Sequence, residues 1–255
     1  MSLQVQVIPA LNDNYIYLLI AEDGEHVGVV DPGDAGPVIK AVDHAGLKPT
    51  HIFNTHHHGD HTAGNHALKQ RFDATVIGPA SETGRIPELD EMVREGETVS
   101  FGPHTAKVIE TPGHTSGHII FWFEEEKIAF VGDTLFVMGC GRLLEGNADQ
   151  MWDSLTKLMA MPADTQLYCG HEYTVANARF ARSVDPTNDA LSDRLRMVEG
   201  LRSRGLATVP TTMAEELATN PFLRAGDADI QAHLDMQGAD PNAVFAEIRR
   251  RKDAA

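Results

Sequence analysis

Histidine and aspartate are concentrated in one short stretch of the chain, NTHHHGDHTAGNH, which spans residues 54–66. If the strand-like run THIFNT continues into this stretch, successive side chains alternate between two faces, and His56 and His58 share one of them. Asp60 and His61 follow a glycine, at which the chain can turn into a helix. Imidazole nitrogens and carboxylate oxygens are ligands that suit zinc, iron or manganese. Four donors at this spacing would crowd a single ion that also binds water, so we expect them to serve two neighbouring ions.

Three further polar residues stand where strand-like runs end: His114 in TPGHTSGH, Asp133 in FVGDTLF and His171 in YCGHEYT. Ligands collected from several strand ends are a usual way for an α/β scaffold to build a site. A solvated polar loop would explain the histidine-rich stretch alone, but it does not explain these three additional strand ends. The sequence therefore predicts a site for two metal ions. We interpret the other histidines close to it as structural: His57, His66 and His118.

The elements that must position these residues change in kind along the chain. Strand-like runs such as NYIYLLIA and KIAFVGD dominate the first part, with two or three helices between them. Asp34 is a candidate cap for one of these helices, which Gly46 would end. From about Val175 the strand-like runs disappear, and charged segments with helical spacing follow. We therefore predict an α/β domain at residues 1–172 and a helical domain at residues 173–255.

Composition limits the partners and the compartment. The formal net charge is −16, so the surface repels nucleic acid and anionic lipid at long range, and we expect neither as a partner. No apolar run near the N-terminus is long enough to span a bilayer, and no basic segment precedes one as in a signal peptide. Two cysteines make no disulfide framework, which favours a reducing compartment. We expect a monomeric, cytoplasmic protein.

The motifs THHHGDH, TPGHTSGH, GDTLF and GHEYT, in this order, resemble the metallo-β-lactamase superfamily. Within it the chain resembles the glyoxalase II (hydroxyacylglutathione hydrolase) family, and the likeness extends to NDNYIYLL, GCGRLLEG, NPFLR and RRRKD. The resemblance implies a fold of the α/β (α+β) class, with an αββα sandwich as the catalytic domain, residues 1–172, and a C-terminal helical domain that binds substrate, residues 173–255. It also implies hydrolysis of S-D-lactoylglutathione and related 2-hydroxyacylglutathiones to D-lactate and glutathione, a step of methylglyoxal degradation.

The resemblance further implies a binuclear metal site. Its ligands form two sets joined by one bridging carboxylate: His56, His58 and His114 for one ion, Asp60, His61 and His171 for the other, and Asp133 between them. Asp60 and Asp133, with a metal-bridging hydroxide that attacks the thioester carbonyl, are then the catalytic groups. We expect two divalent ions, zinc in the first place, although the same donors suit iron or manganese. A thiol has a pKa of only about 8.5, so a thiolate leaves without much help from a general acid.

Four residues are candidates for binding the thiol carrier. In EIRRRKD, Arg249 and Lys252 are three positions apart and share a helix face, and the resemblance implies that they contact glutathione. Tyr173 in GHEYT and Arg142 in GCGRLLEG align with further contacts of the family. The alternative for the two C-terminal cations is that they are solvated and favoured only by the helix dipole.

The stretch GCGRLLEG departs from the family pattern, because Leu143 and Leu144 stand where relatives have an aromatic pair. Leu144 replaces a tyrosine hydroxyl, whose hydrogen bond would be worth roughly 0.5–1.5 kcal/mol. Either glutathione binds several-fold more weakly, or another thiol is the carrier. The metal ligands are unaffected by this departure.

Three alternatives to a glutathione thioesterase differ in their chemistry. A mononuclear iron enzyme similar to persulfide dioxygenases is disfavoured by the full set of Asp60, His61 and His171 and by the RRRK end. A lactonase or a β-lactamase is disfavoured by the same tail, and a hydrolase of another thioester stays open as an alternative. A non-catalytic, metal-stabilised module would usually close its site with four ligands, whereas seven candidates point to open coordination.

Overall fold

The structure, a computed structural model, describes residues 3–255 and divides into two compact units. The first unit comprises the described residues up to Glu110 together with Ser116–Gly132. The second unit comprises Thr111–Thr115 and Asp133–Ala255. The predicted division into residues 1–172 and residues 173–255 concerns function rather than contacts, and it stays a prediction.

Two sheets and the helices beside them make up the first unit. Its strands are β1 (Gln4–Ala10), β2 (Asn14–Ile20), β3 (Val27–Val30), β4 (His51–Phe53), β5 (Thr75–Pro79), β6 (Glu91–Val93), β7 (Thr98–Phe101), β8 (His104–Glu110), β9 (Ile119–Phe123) and β10 (Ile128–Gly132). Its helices are α1 (Ala35–Ala45), α2 (Gly59–Thr62) and α3 (Asn65–Phe72), with a 3-10 turn at Ala80–Glu82.

The strand order explains where the histidine-rich stretch lies. One sheet runs in the order β1 to β6, antiparallel from β1 to β3 and parallel from β3 to β6. Strands β7 to β10 are antiparallel neighbours in the other sheet. Because parallel strands need crossovers, the chain leaves the carboxyl end of β4 and returns through α2 and α3 to β5. The predicted ligands from His56 to His61 occupy the start of that crossover.

Apolar side chains fix both faces of the first sheet. On one face, helices α1 and α3 contribute Val42 and Leu68 to a core that they share with Ile52 of β4. On the other face, the ring of Phe53 lies 5.7 Å from that of Phe101 and 5.2 Å from that of Phe121, both in the second sheet. The first unit is therefore layered as helix, sheet and sheet. Since β4 is packed on both sides, the residues that follow it start from a rigid base.

Helices and two short strand pairs form the second unit. Its strands are β11 (Leu135–Phe136), β12 (Gly139–Cys140), β13 (Gln166–Cys169) and β14 (Thr211–Thr212), and its helices are α4 (Ala148–Met159), α5 (Thr174–Val184), α6 (Asp189–Arg202), α7 (Met213–Thr219), α8 (Ala228–His233) and α9 (Pro241–Asp253). Strand β11 pairs with β12 and β13 with β14, both antiparallel. The short strand β14 corrects the expectation that the chain after about Val175 is free of strands.

Side-chain caps set the limits of these helices. Asn147 and Gln150 form a capping box at the start of α4, and Thr212 and Glu215 form another at α7. Helix α9 begins at Pro241, where a missing N–H costs nothing, and the Asp240 side chain accepts from the backbone of the next turn. Among the described residues, no helix is long and apolar enough to cross a membrane.

Candidate metal centre and substrate cavity

The loop after β4 is held by buried polar side chains. The Asn54 amide donates to the backbone oxygen of His61 at 3.1 Å, and the Asn65 amide donates to Asn54 Oδ1 at 2.7 Å. Both asparagines are fully buried. A buried hydrogen-bonded network of this kind keeps a loop in one conformation, because each broken bond would leave an unsatisfied polar group.

Four predicted donors of the first unit converge in this loop. The Nε2 atom of His56 lies 3.0 Å from Nδ1 of His58, and the rings of His56 and His61 are 4.2 Å apart. Nε2 of His61 lies 3.6 Å from Oδ2 of Asp60. Asn14 positions Asp60 by donating to both its backbone oxygen and its Oδ2 at 3.1 Å. The structure thus brings together four predicted ligands of this unit.

Asp31, which is not among the predicted ligands, belongs to the same cluster. It is 4% exposed, and its Oδ2 lies 3.1 Å from Nδ1 of His61. Its carboxylate also accepts from the Thr55 backbone at 2.8 Å and from the Thr55 hydroxyl at 2.7 Å. A carboxylate on one imidazole nitrogen orients the ring and leaves the other nitrogen for a metal. Asp31 ends a strand-like run, HVGVVD, so the pattern that identified Asp133 could have found it.

The histidines interpreted as structural have other partners in the first unit. His57 lies 2.9 Å from the buried carboxylate of Glu82 and accepts from Arg85 at 2.6 Å. The ring of His118 stacks on that of His56 at 4.9 Å.

The backbone near Asp60 is closely packed, since a Cβ at Gly33 would clash with the backbone oxygen of Asp60. Glycine is therefore the residue that fits at this position.

The three strand-end donors of the second unit also come together. Oδ2 of Asp133 lies 3.3 Å from Nε2 of His114 and 3.4 Å from Nε2 of His171, and all three residues are buried. Nδ1–H of His114 donates to the backbone oxygen of Arg142 at 2.9 Å, which fixes the tautomer that leaves Nε2 facing Asp133.

The donor sets fit divalent metal ions. With metal–ligand bonds of about 2.0–2.1 Å, neighbouring ligands of a tetrahedral ion lie about 3.4 Å apart. The nitrogen–oxygen separations around Asp133, 3.3 and 3.4 Å, match that edge and exceed a strong charged hydrogen bond. In the first unit, donor atoms of Asp31, His56 and His61 all lie within 4.8 Å of one another. Nitrogen and oxygen donors suit zinc, iron and manganese alike, so they support divalent metal ions without selecting one.

A cavity of the second unit is lined by all four residues predicted to bind the carrier: Arg142, Tyr173, Arg249 and Lys252. Phe136, Cys140 and Asp253 lie in the same wall. The Tyr173 ring stacks on that of His171 at 4.9 Å and meets Phe136 edge to face at 5.4 Å. The cavity therefore concentrates positive charge and aromatic surface in a protein that is acidic as a whole.

Arg249 is buried, and the alternative of a solvated cation at a helix end is wrong for it. The residue is 5% exposed, donates to the backbone oxygen of Cys140 at 3.0 Å and to Asp253 at 2.7 Å. Its guanidinium lies over the Phe222 ring at 5.2 Å. Its neighbours Arg250 and Arg251 are the more exposed cations of the helix, and both pair with Glu247.

Lys252 is half-buried and carries a perturbed charge. Burial, and then the charge of Arg249, lower its pKa below the usual lysine value. Its ammonium lies over the Phe180 ring at 5.0 Å and donates to the backbone oxygen of Ala176 at 3.4 Å. A cation that has lost part of its hydration gains more from an incoming carboxylate than a solvated one would.

The two cysteine thiols are unsuited to nucleophilic attack. Burial raises the pKa of Cys169 to about 12 and that of Cys140 to about 11. The thiolate is the reactive form, so both groups are inert near neutral pH.

Comparison with known proteins identifies this arrangement. The chain matches the model of the metallo-beta-lactamase superfamily at residues 12–171 and that of the hydroxyacylglutathione hydrolase C-terminus at residues 172–255. It is 51% identical to the hydroxyacylglutathione hydrolase of Methylococcus capsulatus, over 98% of both chains. It is 50% identical to the hydroxyacylglutathione hydrolase of Rhizobium meliloti, over 99% of this chain and 98% of that relative.

A solved structure supports the fold. The crystal structure of the BLEG-1 B3 metallo-beta-lactamase aligns with a TM-score of 0.67 at 24% identity, over 86% of this chain and 99% of that one. The predicted α/β class and the metallo-β-lactamase fold are therefore confirmed. The fold and the histidine–aspartate clusters define an enzyme of the metallo-β-lactamase superfamily. Within that superfamily, the chain belongs to the hydroxyacylglutathione hydrolase family, also called glyoxalase II.

Proposed function

We propose that the protein hydrolyses S-D-lactoylglutathione and related 2-hydroxyacylglutathiones to the 2-hydroxy acid and glutathione. Its family membership makes it a thioester hydrolase. The observation that carries the choice of carrier is the match of residues 172–255 to the hydroxyacylglutathione hydrolase C-terminus. Two of the three cations that line the cavity, Arg249 and Lys252, lie in that segment.

The cavity supports a carrier that bears carboxylates. Arg142, Arg249 and Lys252 offer positive charge, and a charge-assisted hydrogen bond to a carboxylate is worth roughly twice a neutral one. Tyr173, 39% exposed, offers a ring and a hydroxyl beside them. Binding energy gained on the carrier orients the thioester without touching the reacting carbon.

We propose two divalent ions, with zinc as the first candidate metal, at the ligands implied by the family resemblance. These are His56, His58 and His114 for one ion, Asp60, His61 and His171 for the other, and Asp133 for both. When bound, such ions supply Lewis-acid chemistry, lowering the proton affinity of water and stabilising negative charge on a carbonyl oxygen. The support is the nitrogen and oxygen donor chemistry within each unit, described above.

The protein's own side chains keep these donors in place. Asp31 and the backbone oxygen of Arg142 each hold one ring nitrogen of a histidine, so the other nitrogen remains available as a donor. Asn14 holds Asp60 through two hydrogen bonds. The leaving thiolate needs little protonation, since a thiol has a pKa of about 8.5. No side-chain nucleophile is therefore required, in keeping with the raised pKa values of both cysteines.

The test is a steady-state assay on purified protein whose metal content has been measured. S-D-lactoylglutathione is compared with the lactoyl thioester of N-acetylcysteamine, which has the same acyl group but no carrier carboxylates. We expect release of D-lactate and glutathione, and a much lower KM for the glutathione thioester. Equal KM values would show that glutathione is not the recognised carrier. This comparison matters because Leu144, which is 53% exposed, stands where the family pattern has a tyrosine. Oxygen consumption with glutathione persulfide in place of hydrolysis would favour the dioxygenase alternative.

We also propose that the protein acts as a monomer in the cytoplasm, without nucleic-acid or membrane partners. Both cysteines are buried, which suits a chain that does not use disulfides. The net charge of −16 disfavours polyanionic partners. Sedimentation of the purified protein tests whether it is a monomer. Fractionation of its host cells tests the cytoplasmic location.

A further inference from the structure

A short hairpin joins the metal-donor cluster of the second unit to its cavity. The hairpin consists of β11 and β12 with their turn, residues 135–140, and it pairs Leu135 with Cys140 and Phe136 with Gly139. Asp133 lies just before the hairpin and Arg142 just after it. Strands of two residues are too short to be stable by themselves. Contacts from elsewhere must therefore hold the hairpin in shape.

Those contacts come from side chains far along the sequence. The Asn220 amide donates to the backbone oxygens of Gly139 at 2.9 Å and Phe136 at 3.3 Å. The backbone N–H of Met138 donates to the Glu216 carboxylate at 2.8 Å. Met138 has a φ of 54°, a left-handed conformation that is unfavourable for methionine and must be imposed by its surroundings.

Two further side chains complete the set of contacts. Asn177 donates to the backbone oxygen of Val137 at 3.2 Å, and Arg249 donates to that of Cys140 at 3.0 Å. Asn177 also lies so close to Gly139 that a Cβ there would clash with its amide. Each residue from 136 to 140 is thus bonded through its backbone to a side chain of the helical segment that follows.

Glu216 and Asn220 are the members of this set that do not line the cavity. Both are fully buried. The Glu216 carboxylate also accepts from Arg194 at 2.7 Å, from Thr211 at 2.8 Å and from Asn220 at 2.9 Å. A buried carboxylate is unfavourable unless it is paired and hydrogen-bonded, so a network that satisfies it holds its members in one geometry.

We propose that Asn220 and Glu216 are positioning residues that hold the hairpin, and through it keep Asp133 and Arg142 at a fixed separation. This inference rests on the proposed function of those two residues. The hairpin is antiparallel, so the two chain segments that leave it, one toward Asp133 and one toward Arg142, lie side by side. A loosened hairpin moves both the metal donor and the carrier contact, so it lowers kcat and raises KM together.

The test compares Asn220→Ala with Asn188→Ala. Asn188 is a matched control in the same unit, because its amide donates to two other groups, Asp185 and Ala218, and its oxygen accepts from the Leu191 backbone. It makes no bond to the hairpin among the contacts described. A variant that is merely less stable keeps its kinetic constants per folded molecule.

We expect Asn220→Ala to lower kcat/KM by at least about tenfold, the equivalent of one or two lost hydrogen bonds, with contributions from both constants. The kcat/KM of Asn188→Ala should stay within about twofold of the wild-type value, even if its thermal stability falls as much as that of Asn220→Ala. Amide hydrogen exchange at residues 136–140 should accelerate selectively in Asn220→Ala, and the variant should lose metal faster to a chelator. If Asn220→Ala does not fold, Asn220→Ser, which keeps one donor, should show the same pattern with a smaller amplitude.

The inference is overturned if the Asn220 variants match Asn188→Ala in kinetics, metal loss and local exchange after correction for stability. It is also overturned if exchange accelerates uniformly across the second unit, because that would indicate general destabilisation. A wild-type protein that does not hydrolyse glutathione thioesters would refute the proposed function only. The exchange and metal-retention measurements would still decide the role of Asn220.

Discussion

Replacing Arg249 by alanine should affect substrate affinity and stability at once, because this side chain is buried as well as being a cavity cation. It loses the charged hydrogen bond to the backbone oxygen of Cys140, worth about 1.5–3 kcal/mol. The pair with Asp253, whose side chain is 42% exposed, adds at most about 1 kcal/mol after screening by solvent. The contact with the Phe222 ring adds about 0.5–2 kcal/mol.

Together these losses should lower the free energy of unfolding by about 2–6 kcal/mol, and Tm by on the order of 10 °C for a chain of this size. Total stability is typically about 5–15 kcal/mol, so the variant should still fold. Loss of one charged contact with the carrier should raise KM by about 10- to 100-fold. The change in kcat should be smaller, because the proposed contact is with the carrier and not with the reacting carbonyl.

Arg251→Ala is the matched control on the same helix. Arg251 is 40% exposed and pairs with Glu247, so its removal should change stability by no more than about 0.5 kcal/mol and leave KM within about twofold. The assay is steady-state hydrolysis of S-D-lactoylglutathione, with thermal unfolding of the same samples. A large fall in Tm with unchanged KM would refute the role of Arg249 in carrier binding. A raised KM with unchanged Tm would refute the energetic analysis of its burial.

Three further predictions concern the metal donors and the second cation. Asp133→Ala should lose metal and hydrolysis together, measured as metal content and turnover on one sample; wild-type turnover would show that the site is assigned wrongly. Asp31→Asn keeps the size of the side chain but removes the charge that orients His61, so metal affinity should fall about 10- to 100-fold in a chelator competition. An unchanged affinity would show that Asp31 stabilises the loop but does not affect metal binding. The pKa of Lys252 is lowered, so its charge is fully present at low pH and is lost as pH rises through a value below the ordinary ~10.4. KM should rise with pH in that range, and Lys252→Arg, which stays charged, should flatten the rise; identical pH profiles would exclude Lys252 as the titrating group.

The fold class could be predicted from sequence, and the candidate ligands could be proposed from it, because the signals for both are local. Strand-like runs, each ended by a polar residue next to glycine, predict a site at strand ends, and Asp133 fits this pattern. The cap at Asp34 and the left-handed Gly46 of α1 are likewise confirmed, with the Asp34 side chain accepting from the Gly36 backbone. Asp31 ends the strand-like run HVGVVD and so carries the same strand-end signal.

The rest depends on contacts between segments that are distant in sequence. A run of arginines at a helix end is compatible with solvation, and only the packing of Phe222 and Cys140 around Arg249 shows that it is buried. The local spacing around Glu216 and Asn220 does not predict their bonds to the hairpin, which span about eighty positions. Periodicity and spacing contain no information on such pairs.

The hairpin also determines how the effect of Arg249 should be interpreted. The guanidinium bonds the backbone oxygen of Cys140 and lines the cavity, so a carrier carboxylate that draws it away changes the support of the hairpin. Lys252 lines the same cavity but makes its backbone contact with Ala176, outside the hairpin. If both cations only bind carboxylate, their alanine variants should lower kcat equally little. A larger loss of kcat in Arg249→Ala would then indicate that the change at Cys140 displaces Asp133. It should be accompanied by faster amide exchange in the hairpin. Lys252→Ala should leave that exchange unchanged.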